Sequence, residues 1–560
     1  MAAATSAIRL PPPEQIAHGL AAVAPSELSK SPLLGILGVI MGAGIVTLTG
    51  RMITLGLADL KGHVGISFDE GAWIGSSYNI ALMFIGPFTV FVGALLGPRK
   101  ILFYAATTFS LVCAFLPLIH NYSLLIVALV LAGLTSGTFY PLTLTFALRN
   151  IPLRFLPFTI ALYATFVDGA VNIAPSLYGW YRDHLSWHWM FWNSAVITPL
   201  MALCIYYGIP APAAGERKKS AAPPSFAAFL YGSTGFAMLY AAFDQGERLD
   251  WWRSGVFNAL FFGGMFLLVA ATIRRLRGPN PLVDMPYLRQ WNTLLLGIGL
   301  FLFRFSLVAT IILIPQSLGL HGFEADQIGP AIVWSAIPLL LLAFIAGFLL
   351  LSGLDSRLLM ASGFVFIAIA CYLNADLTSA WSASNYYRTE LLMGLGQCFA
   401  FVGLVATIIL QGIFSGGLSK PQWILTFSAF FHVVRLFGGE LGAVYMGHFV
   451  AQREKLHSNL LGLHVQSGSW ITDANIRALT AGVYAKSSGL PAAAGRAVDL
   501  MGSRLRLQAY TLSLIDGFYL VAWASVVALV LIAMLRNSPL SYGRLSELQE
   551  KSPAPQEAKS

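Results

Sequence analysis

Charged residues are scarce in this sequence. Asp, Glu, Lys and Arg make up only 11% of the 560 residues, whereas 57% are hydrophobic. Soluble globular proteins carry about 25% charged residues, so this chain has too few polar side chains to cover a surface that faces water. The composition excludes an ordinary soluble domain and indicates a protein that is embedded in a lipid bilayer.

Cysteines and the sequence motifs of enzymes are also scarce. The four cysteines lie within apolar runs, at spacings that fit neither a disulfide framework nor a zinc site. The sequence contains no Walker A loop, no His-Glu-x-x-His and no Gly-x-Ser-x-Gly. We therefore predict no metal, no cofactor and no catalytic residue. The net charge of +9 does not indicate a nucleic-acid partner, because the basic residues cluster at the ends of the apolar runs.

Apolar runs of about 20 residues recur along the whole chain, and each is long enough to cross the hydrocarbon core. In lipid every backbone N–H and C=O group must be satisfied within its own segment, which favours α-helices. The sequence therefore predicts an all-α integral membrane protein with fourteen transmembrane helices. The predicted spans are residues 34–57, 73–97, 100–118, 122–147, 155–180, 188–208, 226–243, 255–276, 292–317, 328–352, 357–374, 388–414, 421–449 and 511–536. We expect the first run to be a permanent helix, because it lacks the cleavage site of a signal peptide.

The basic residues of the predicted loops fall mainly on one side of the bilayer. If the N-terminus is cytoplasmic, the loops on that side contain Arg99–Lys100, Arg149, Arg154, Arg217–Lys219, Arg274–Arg277 and Arg357. The opposite loops hold acidic or balanced sets such as Asp69–Glu70. Because positively charged loops stay in the cytoplasm, we predict that both termini are cytoplasmic and that the chain lies in the cell inner membrane.

The order of the spans predicts a repeat of six, two and six helices, in which helices 1–6 correspond to helices 9–14. Such paired halves are typical of secondary transporters, whose binding site lies between the halves near mid-membrane. The predicted divisions are a cytoplasmic segment 1–33, an N-terminal six-helix half 34–208, two inserted helices 209–290, a C-terminal six-helix half 291–540 and a cytoplasmic tail 541–560. Residues 450–510 are predicted to form an ordered loop on the outer face with short amphipathic helices.

Charged side chains inside the predicted spans are the candidate functional residues, because a charge in the bilayer is costly and is usually tied to function. The candidates are Arg51, Asp168, Arg304, Arg435 and Glu440, with the polar Asn172 beside Asp168, followed by His432 and Asp516. Structural alternatives remain open: Arg51 could extend to the interface, and Arg435 and Glu440 could lock helices together. Asp168 is the best candidate for a proton carrier, unless its carboxylate only bonds to Asn172.

The three candidate arginines favour an anionic solute, because guanidinium groups bind carboxylates and phosphates through several directed hydrogen bonds. Aromatic side chains could offer a flat apolar surface to a ring, although such residues more often face lipid or neighbouring helices. The aromatic candidates are Trp73, Tyr78, Phe139, Tyr140 and Tyr178. Since the sequence has no nucleotide site, we expect an ion gradient or the solute gradient to supply the energy.

Four stretches of the sequence match a known pattern. The segment Gly71–Ile74 begins predicted helix 2, and the segments Pro175–Gly179 and Trp187–Phe191 end helix 5 and begin helix 6. The others are the loop Asp244–Trp251 and the segment Asn280–Asn292 before helix 9. With these motifs the sequence resembles the fourteen-helix drug:proton antiporters of the major facilitator superfamily, the EmrB/QacA type, over about residues 34–540.

The resemblance implies the major facilitator fold, with two six-helix halves plus two inserted helices, and proton coupling. It also implies that a conformational motif is formed by Gly93, Arg99, Lys100, Pro175 and Gly179.

The chain also departs from the family pattern. The loop from Gly93 to Lys100 lacks the usual acidic residue, and Leu129 and Thr49 lie near the positions of the helix 4 arginine and the helix 1 aspartate. The chain is thus a divergent member of the family, and we hypothesise that Asp168 has taken the proton-carrying role.

Three functions remain open at this point. The first is a proton-coupled transporter of the multidrug efflux type that exports small lipophilic or aromatic compounds, preferentially anionic ones. Members of this family often work with a periplasmic adaptor and an outer-membrane channel, and the loop 450–510 is the expected adaptor contact. The alternative is a specific exporter of one endogenous metabolite, such as a siderophore or an aromatic acid. The third is a receptor or assembly partner that has lost transport.

Overall fold

A computed structural model describes residues 32–142, 155–208, 226–277, 285–414, 421–466, 468–536 and 541–545. Within these ranges the secondary structure is entirely helical, without a strand. Fourteen of the helices are long and apolar enough to cross a membrane. The prediction of an all-α protein with fourteen spanning helices is therefore confirmed.

The spanning helices are numbered here in chain order, and shorter connecting helices are named by their residues. They are α1 Leu33–Leu55, α2 Phe68–Gly93, α3 Pro98–Leu118, α4 Tyr122–Leu142, α5 Leu156–His184, α6 Trp189–Gly208, α7 Phe226–Gly246, α8 Gly255–Arg274, α9 Trp291–Gly319, α10 Ala325–Leu351, α11 Ser356–Asn374, α12 Ala383–Ile413, α13 Leu425–Gly462 and α14 Leu490–Ala533. The main connecting helices are Leu57–Val64 and Trp470–Tyr484.

Local sequence signals begin and end several of these helices. Ser67 and Glu70 form a capping box at the start of α2, which satisfies two backbone N–H groups that have no helical partner. Asn121 and Asp355 cap α4 and α11 with their side chains. Gly97 adopts a φ of 91° between α2 and α3, a backbone conformation that favours glycine, and Pro98 follows at the first helical position.

The helices of the two six-helix groups make corresponding contacts. In the first group α1 packs against α6, α3 against α6, and α2 against α4. In the second group the same positions are in contact, since α9 packs against α14, α11 against α14, and α10 against α12. The inserted α7 packs on α2 and α13, whereas α8 packs mainly on α7. The inserted pair therefore lies against the boundary between the two groups.

The α5–α10 crossing brings backbone against backbone between the two groups. A Cβ atom on Gly179 would lie 2.6 Å from Cα of Asp326, and one on Gly329 would lie 2.5 Å from Cα of Ser176. At the end of the same crossing Arg182 pairs with Glu324, and it lies 3.7 Å from the carboxylate of Asp326. The two groups are thus closed against each other along this seam.

The structure corrects the prediction for residues 450–510. The helix that contains α13 runs without interruption from Pro421 to Gly462, and α14 begins at Leu490 rather than at residue 511. Among the described residues of this segment, only Trp470–Tyr484 forms a short separate helix. Two long helices therefore continue through most of the predicted loop, because their Ala- and Leu-rich sequences favour helix beyond the apolar span. Residues 450–462 are the extended part of α13, and residues 490–510 are the extended part of α14.

Smaller corrections concern other boundaries. The helix α2 begins at Phe68, so the Gly71–Ile74 motif lies inside the helix rather than at its start. Of the predicted basic clusters, Arg149, Arg154 and Arg217–Lys219 lie outside the described residues.

Candidate substrate and proton site

A central cavity of about 180 Å³ lies where α1, α2, α5, α7, α9 and α13 meet. Its polar lining includes Arg51, Arg304, Arg435, Glu440 and Tyr240. The structure thus brings together four of the candidates, which the sequence spreads over nearly 400 residues. Valine, leucine and isoleucine residues make up half of the remaining lining.

The three arginines are held by different contacts. The Arg51 guanidinium donates to the carbonyl oxygen of Ile311 at 3.1 Å, in the π-helical turn Ala309–Leu313 of α9. The Arg435 guanidinium lies 3.9 Å above the centre of the Tyr140 ring, a cation–π contact. The Nε atoms of Arg51, Arg304 and Arg435 have no hydrogen-bond partner among the described residues. Each guanidinium group therefore has donor capacity left for a solute.

Two glycines of α13 make room for Arg304. A Cβ atom on Gly438 would lie 3.1 Å from Cβ of Arg304, and one on Gly439 would lie 3.1 Å from its Nη2. The arginine side chain consequently lies along the backbone of α13 and extends toward the cavity. The adjacent glycines in the sequence thus serve packing at the site.

A pair of carboxyl groups lies at the α7 side of the cavity. The Tyr240 hydroxyl donates to Glu440 Oε2 at 2.6 Å, and the carboxyl group of Asp244 lies within hydrogen-bonding range of Glu440. Asp244 in turn accepts hydrogen bonds from Ser76 and from Gln245. Two carboxylates this close repel each other when both are ionised.

Asp168 lies behind the cavity wall rather than on it. Its side chain is buried, and neither carboxyl oxygen has a hydrogen-bond partner among the described residues. The guanidinium groups of Arg304 and Arg435 lie within electrostatic range. The hydrogen bond to Asn172 that would have made Asp168 structural is not formed. Asn172 instead donates to Gln397 Oε1 of α12 at 2.7 Å.

The residues of the predicted conformational motif lie at helix contacts away from the cavity. Arg99 donates to the carbonyl oxygen of Tyr206 at 2.6 Å and lies over its ring, which ties α3 to α6. Lys100 is exposed, and Gly93 packs against Leu142 of α4. Pro175 lies inside the continuous helix α5, one turn before Gly179 at the α5–α10 crossing.

Two lesser candidates lie outside the cavity. His432 is buried where α13 packs against Gly86 of α2. Asp516 accepts hydrogen bonds from Arg453 at 2.6 Å and pairs with His457 at 2.7 Å, which joins the extended part of α13 to α14. These contacts favour the structural alternative for Asp516.

The aromatic candidates separate into several environments. Tyr78 lines the cavity and Tyr140 carries the Arg435 contact. Phe139 packs edge-on against Phe109, Tyr178 bonds to Asp59, and Trp73 lies beneath Arg248. Only the first two could reach a solute in the cavity.

Sequence reasoning missed two acids, the half-buried Asp244 and the buried Glu390. Asp244 follows the predicted end of helix 7 at residue 243, whereas α7 continues to Gly246 and places this carboxyl group beside Glu440. Glu390 lies near the predicted start of helix 12. An acidic residue is common at that position, because it interacts favourably with the N-terminus of a helix, and it therefore did not stand out in the sequence. The structure buries Glu390 completely within the second six-helix group. Hydropathy alone carried no signal for either contact.

A second, apolar cavity of about 700 Å³ lies on the other face of α9 and α13, beside α7 and α14. Its walls include Phe301, Phe305, Leu441, Val444 and Tyr445. The close α9–α13 packing at Gly438 and Gly442 separates it from the arginines. It is therefore a separate space for an apolar group.

Comparisons with known proteins agree with this architecture. The family model of the Major Facilitator Superfamily matches residues 39–443. The multidrug export protein EmrB of Escherichia coli K12 is 22% identical over 495 residues, which cover 87% of this chain and 91% of the relative. The fatty acid resistance protein FarB of Neisseria gonorrhoeae is 23% identical over 408 residues, which cover 72% and 78%.

A solved structure shares the fold. The crystal structure of the human organic anion transporter MFSD10 (TETRAN) aligns with a TM-score of 0.53 at 12% sequence identity, covering 90% of this chain and 99% of that chain. The family match spans well over half of the residues, and the relatives are efflux transporters rather than enzymes. The chain therefore belongs to the major facilitator superfamily, and it is similar to the multidrug export proteins of the EmrB type.

Proposed function

We propose that this protein exports small lipophilic or aromatic anions in exchange for protons. The observation that carries the proposal is the central cavity with Arg51, Arg304 and Arg435 in its lining. None of these arginines is in a salt bridge among the described residues. Their charge is thus available to an anionic solute, which guanidinium groups bind through paired hydrogen bonds.

The apolar part of the cavity wall supports a lipophilic solute. Val46, Leu82, Val171 and Ile312 surround the polar groups, and burial of alkyl or ring surface against them contributes about 25 cal/mol per Å². One relative is named a fatty acid resistance protein. Fatty acids combine an alkyl chain with a carboxylate, which is the chemistry that this lining would bind.

The cavity volume favours one specific alternative. Drug-sized ligands occupy sites of about 300–1,000 Å³, so a cavity of about 180 Å³ must widen before it admits one. A specific exporter of one compact metabolite, such as an aromatic acid, would need less widening. Arg304→Ala separates the two functions: a broad pump should keep some substrates, whereas a specific exporter should lose its single one.

The position of Asp168 determines whether its protonation strengthens or weakens anion binding. When ionised, its carboxylate offsets the charge of Arg304 and Arg435, which lie within range. Protonation of Asp168 leaves both arginines free to attract an anion. The protonated protein therefore binds the anion more tightly, and the anion-bound protein binds the proton more tightly. Exchange therefore requires either that the doubly loaded form does not reorient, or that the driving proton binds at another carboxyl group.

We further propose that the extended parts of α13 and α14 contact a periplasmic adaptor. The connecting helix between them exposes Trp470 and Ile471, with 76% and 56% of their surfaces accessible. An exposed tryptophan beside an aliphatic residue is a typical anchor of protein interfaces. The adaptor would link the transporter to an outer-membrane channel.

Uptake into inverted membrane vesicles tests the proposed function. Vesicles with an imposed proton gradient would be offered decanoate, salicylate, a neutral aromatic compound and a cationic dye. We expect the anions to accumulate and an uncoupler to abolish accumulation. Accumulation of the cation alone would contradict the arginine argument and make the Glu440–Asp244 pair the binding group. Uptake of one aromatic acid only would support the specific exporter.

A further inference from the structure

Glu390 is a buried acid that the central cavity does not explain. Its side chain is 0% exposed on α12, and neither carboxyl oxygen has a well-formed hydrogen bond among the described residues. No salt bridge in the described part of the chain includes it. An ionised carboxylate without a partner is strongly unfavourable in such an interior. The arrangement therefore requires the neutral, protonated form.

The two hydroxyl groups that face Glu390 suit a protonated carboxyl group. Ser335 already donates its hydrogen to the carbonyl oxygen of Ile332 at 2.6 Å, so it can only accept from Glu390. Thr310 accepts from Gln397 at 3.3 Å, which leaves its hydrogen free to donate. One acceptor and one donor match the O–H and C=O of a carboxylic acid.

The helices around Glu390 are irregular at the same level. Thr310 lies in the π-helical turn Ala309–Leu313 of α9, and such turns occur frequently at functional sites. The helix of α10 is interrupted between Ala336 and Leu339, directly after Ser335. Gly394, one turn after Glu390, lets the Ser335 backbone approach, since a Cβ atom there would lie 2.2 Å from its carbonyl oxygen.

A chain of polar groups connects Glu390 to the contact between the two six-helix groups. Asn172 of α5 donates to Gln397 of α12 at 2.7 Å, and Gln397 donates to Thr310 at 3.3 Å. Thr310 then faces Glu390. The first of these bonds crosses from one group to the other, so any movement between α5 and α12 must break it.

We infer that Glu390 is a second proton-binding site, located outside the substrate cavity and linked to opening of the two halves through Gln397 and Asn172. This inference rests on the proposed proton-coupled export. The carboxylate takes a proton from water on one side, is occluded as the neutral acid, and returns the proton to water on the other side. The other titratable groups that face it are Cys371 from α11 and Tyr386 at the start of α12. Both are neutral at neutral pH in their ordinary state.

The location of Glu390 makes proton binding and substrate binding oppose each other, as exchange requires. The conformation with buried Glu390 has a cavity too small for a drug-sized solute, so it corresponds to the proton-loaded, empty carrier. Opening of the two halves widens the cavity, and the same movement separates α5 from α12, hydrates Glu390 and releases the proton. Substrate and proton thus favour opposite conformations, in contrast to the cooperative effect at Asp168.

Infrared spectroscopy of the purified full-length protein tests the site without any substrate. We expect the difference spectrum between the wild type and Glu390→Gln at neutral pH to show that one C=O stretching band of a buried protonated carboxyl group is lost in the variant. Buried Asp168 can contribute a band of its own, so the same comparison in the Asp168→Asn background assigns the lost band to Glu390. Glu454→Gln, on the extended part of α13, is the matched control and should lose no such band. Should Glu390→Gln fail to fold, Ser335→Ala should shift the Glu390 band by removing its acceptor. A difference spectrum without a lost band in Glu390→Gln, or without a shifted band in Ser335→Ala, would overturn the inference.

Transport then separates this inference from the proposed function. In vesicles we expect Glu390→Gln to lose proton-driven decanoate accumulation at least tenfold while decanoate counterflow, which needs no proton movement, is kept. Wild-type accumulation in Glu390→Gln contradicts the inference and leaves the proposed function intact. A wild type that shows counterflow without proton-driven accumulation contradicts both the proposed coupling and the role of Glu390.

Discussion

At the scale of single residues, the arginines of the cavity differ in how they are held. Arg435 stacks on Tyr140 and Arg51 is bonded to a backbone carbonyl, whereas Arg304 lies in a groove made by Gly438 and Gly439. Of the three, Arg304 depends least on a polar protein partner. It is therefore the arginine most free to bind a solute.

Replacing Arg304 with alanine should weaken anion binding without unfolding the protein. A hydrogen bond to a charged group contributes about 1.5–3 kcal/mol, which corresponds to about 10- to 100-fold in affinity. Binding of radiolabelled decanoate to the purified variant measures the loss. Arg477→Ala on the connecting helix is the matched control and should bind as the wild type does. Equal affinity in both variants would remove Arg304 from the site.

The Asp168→Asn variant should make anion binding less sensitive to pH. In the wild type, protonation of Asp168 frees the neighbouring arginines, so decanoate affinity should rise as the pH falls. The neutral asparagine holds the arginines in that free state at every pH. A coupling of this kind is typically 5- to 150-fold, and binding titrations from pH 5.5 to 8.5 measure it. Asp183→Asn, at the exposed C-terminal end of α5, should retain the wild-type pH dependence. If Asp168→Asn retains it too, Asp168 does not communicate with the cavity.

The sequence predicted part of this residue-scale chemistry. Charge inside an apolar span was enough to single out Arg51, Arg304, Arg435 and Glu440, which the structure places on one cavity. The sequence could not reveal what Asp244 and Glu390 contact, because a carboxyl group near a helix end gives the same sequence pattern whether it faces water or the protein interior. That distinction depends on how neighbouring helices cross.

At the scale of helices, the glycines at the α5–α10 crossing control how closely the two groups approach. Gly179→Ala and Gly329→Ala would each place a methyl group against backbone that cannot move aside. Overpacking of this kind costs about 1–3 kcal/mol, so both variants should have a lower Tm and slower transport. Gly169→Ala on the same helix is the control, because its Cβ would meet only a leucine side chain at 3.4 Å. Equal Tm values for all three variants would show that the crossing is loose.

A cluster of histidines between helices should make stability depend on pH. The ring of His63 lies 4.3 Å from that of His120 and 6.1 Å from that of His188. Burial, followed by these like charges, lowers the pKa of His63 below its ordinary value. The folded protein then binds fewer protons than the unfolded chain, so stability is present above about pH 6.5 and is lost as the pH falls.

Thermal unfolding between pH 5 and 8 measures this effect. The drop in Tm toward acid pH should be smaller in His120→Asn, which removes one of the like charges. The exposed His464 provides the control variant His464→Asn, whose pH profile should match the wild type. An unchanged acid slope in His120→Asn would show that the three rings titrate independently.

At the scale of the whole molecule, the long α13 and α14 helices carry the chain beyond the apolar spans. The double variant Trp470→Ser/Ile471→Ser should leave vesicle transport unchanged, because these residues are exposed and do not line the cavity. It should lower drug resistance of whole cells, where an adaptor is needed to cross the outer membrane. Transport lost in vesicles would instead assign the connecting helix to folding. Wild-type resistance in cells would exclude it as the adaptor contact.

The sequence by itself determined that the chain is an all-α membrane protein with fourteen spans, because lipid leaves hydropathy and backbone hydrogen bonding few alternatives. Its motifs also indicated the superfamily. Only the tertiary structure decided which charges share the cavity, that Asn172 bonds to Gln397 rather than to Asp168, and that Glu390 is buried. Each helix presents a different face for every step of about 100°, and the rotation of a helix is set by its neighbours rather than by its own hydropathy.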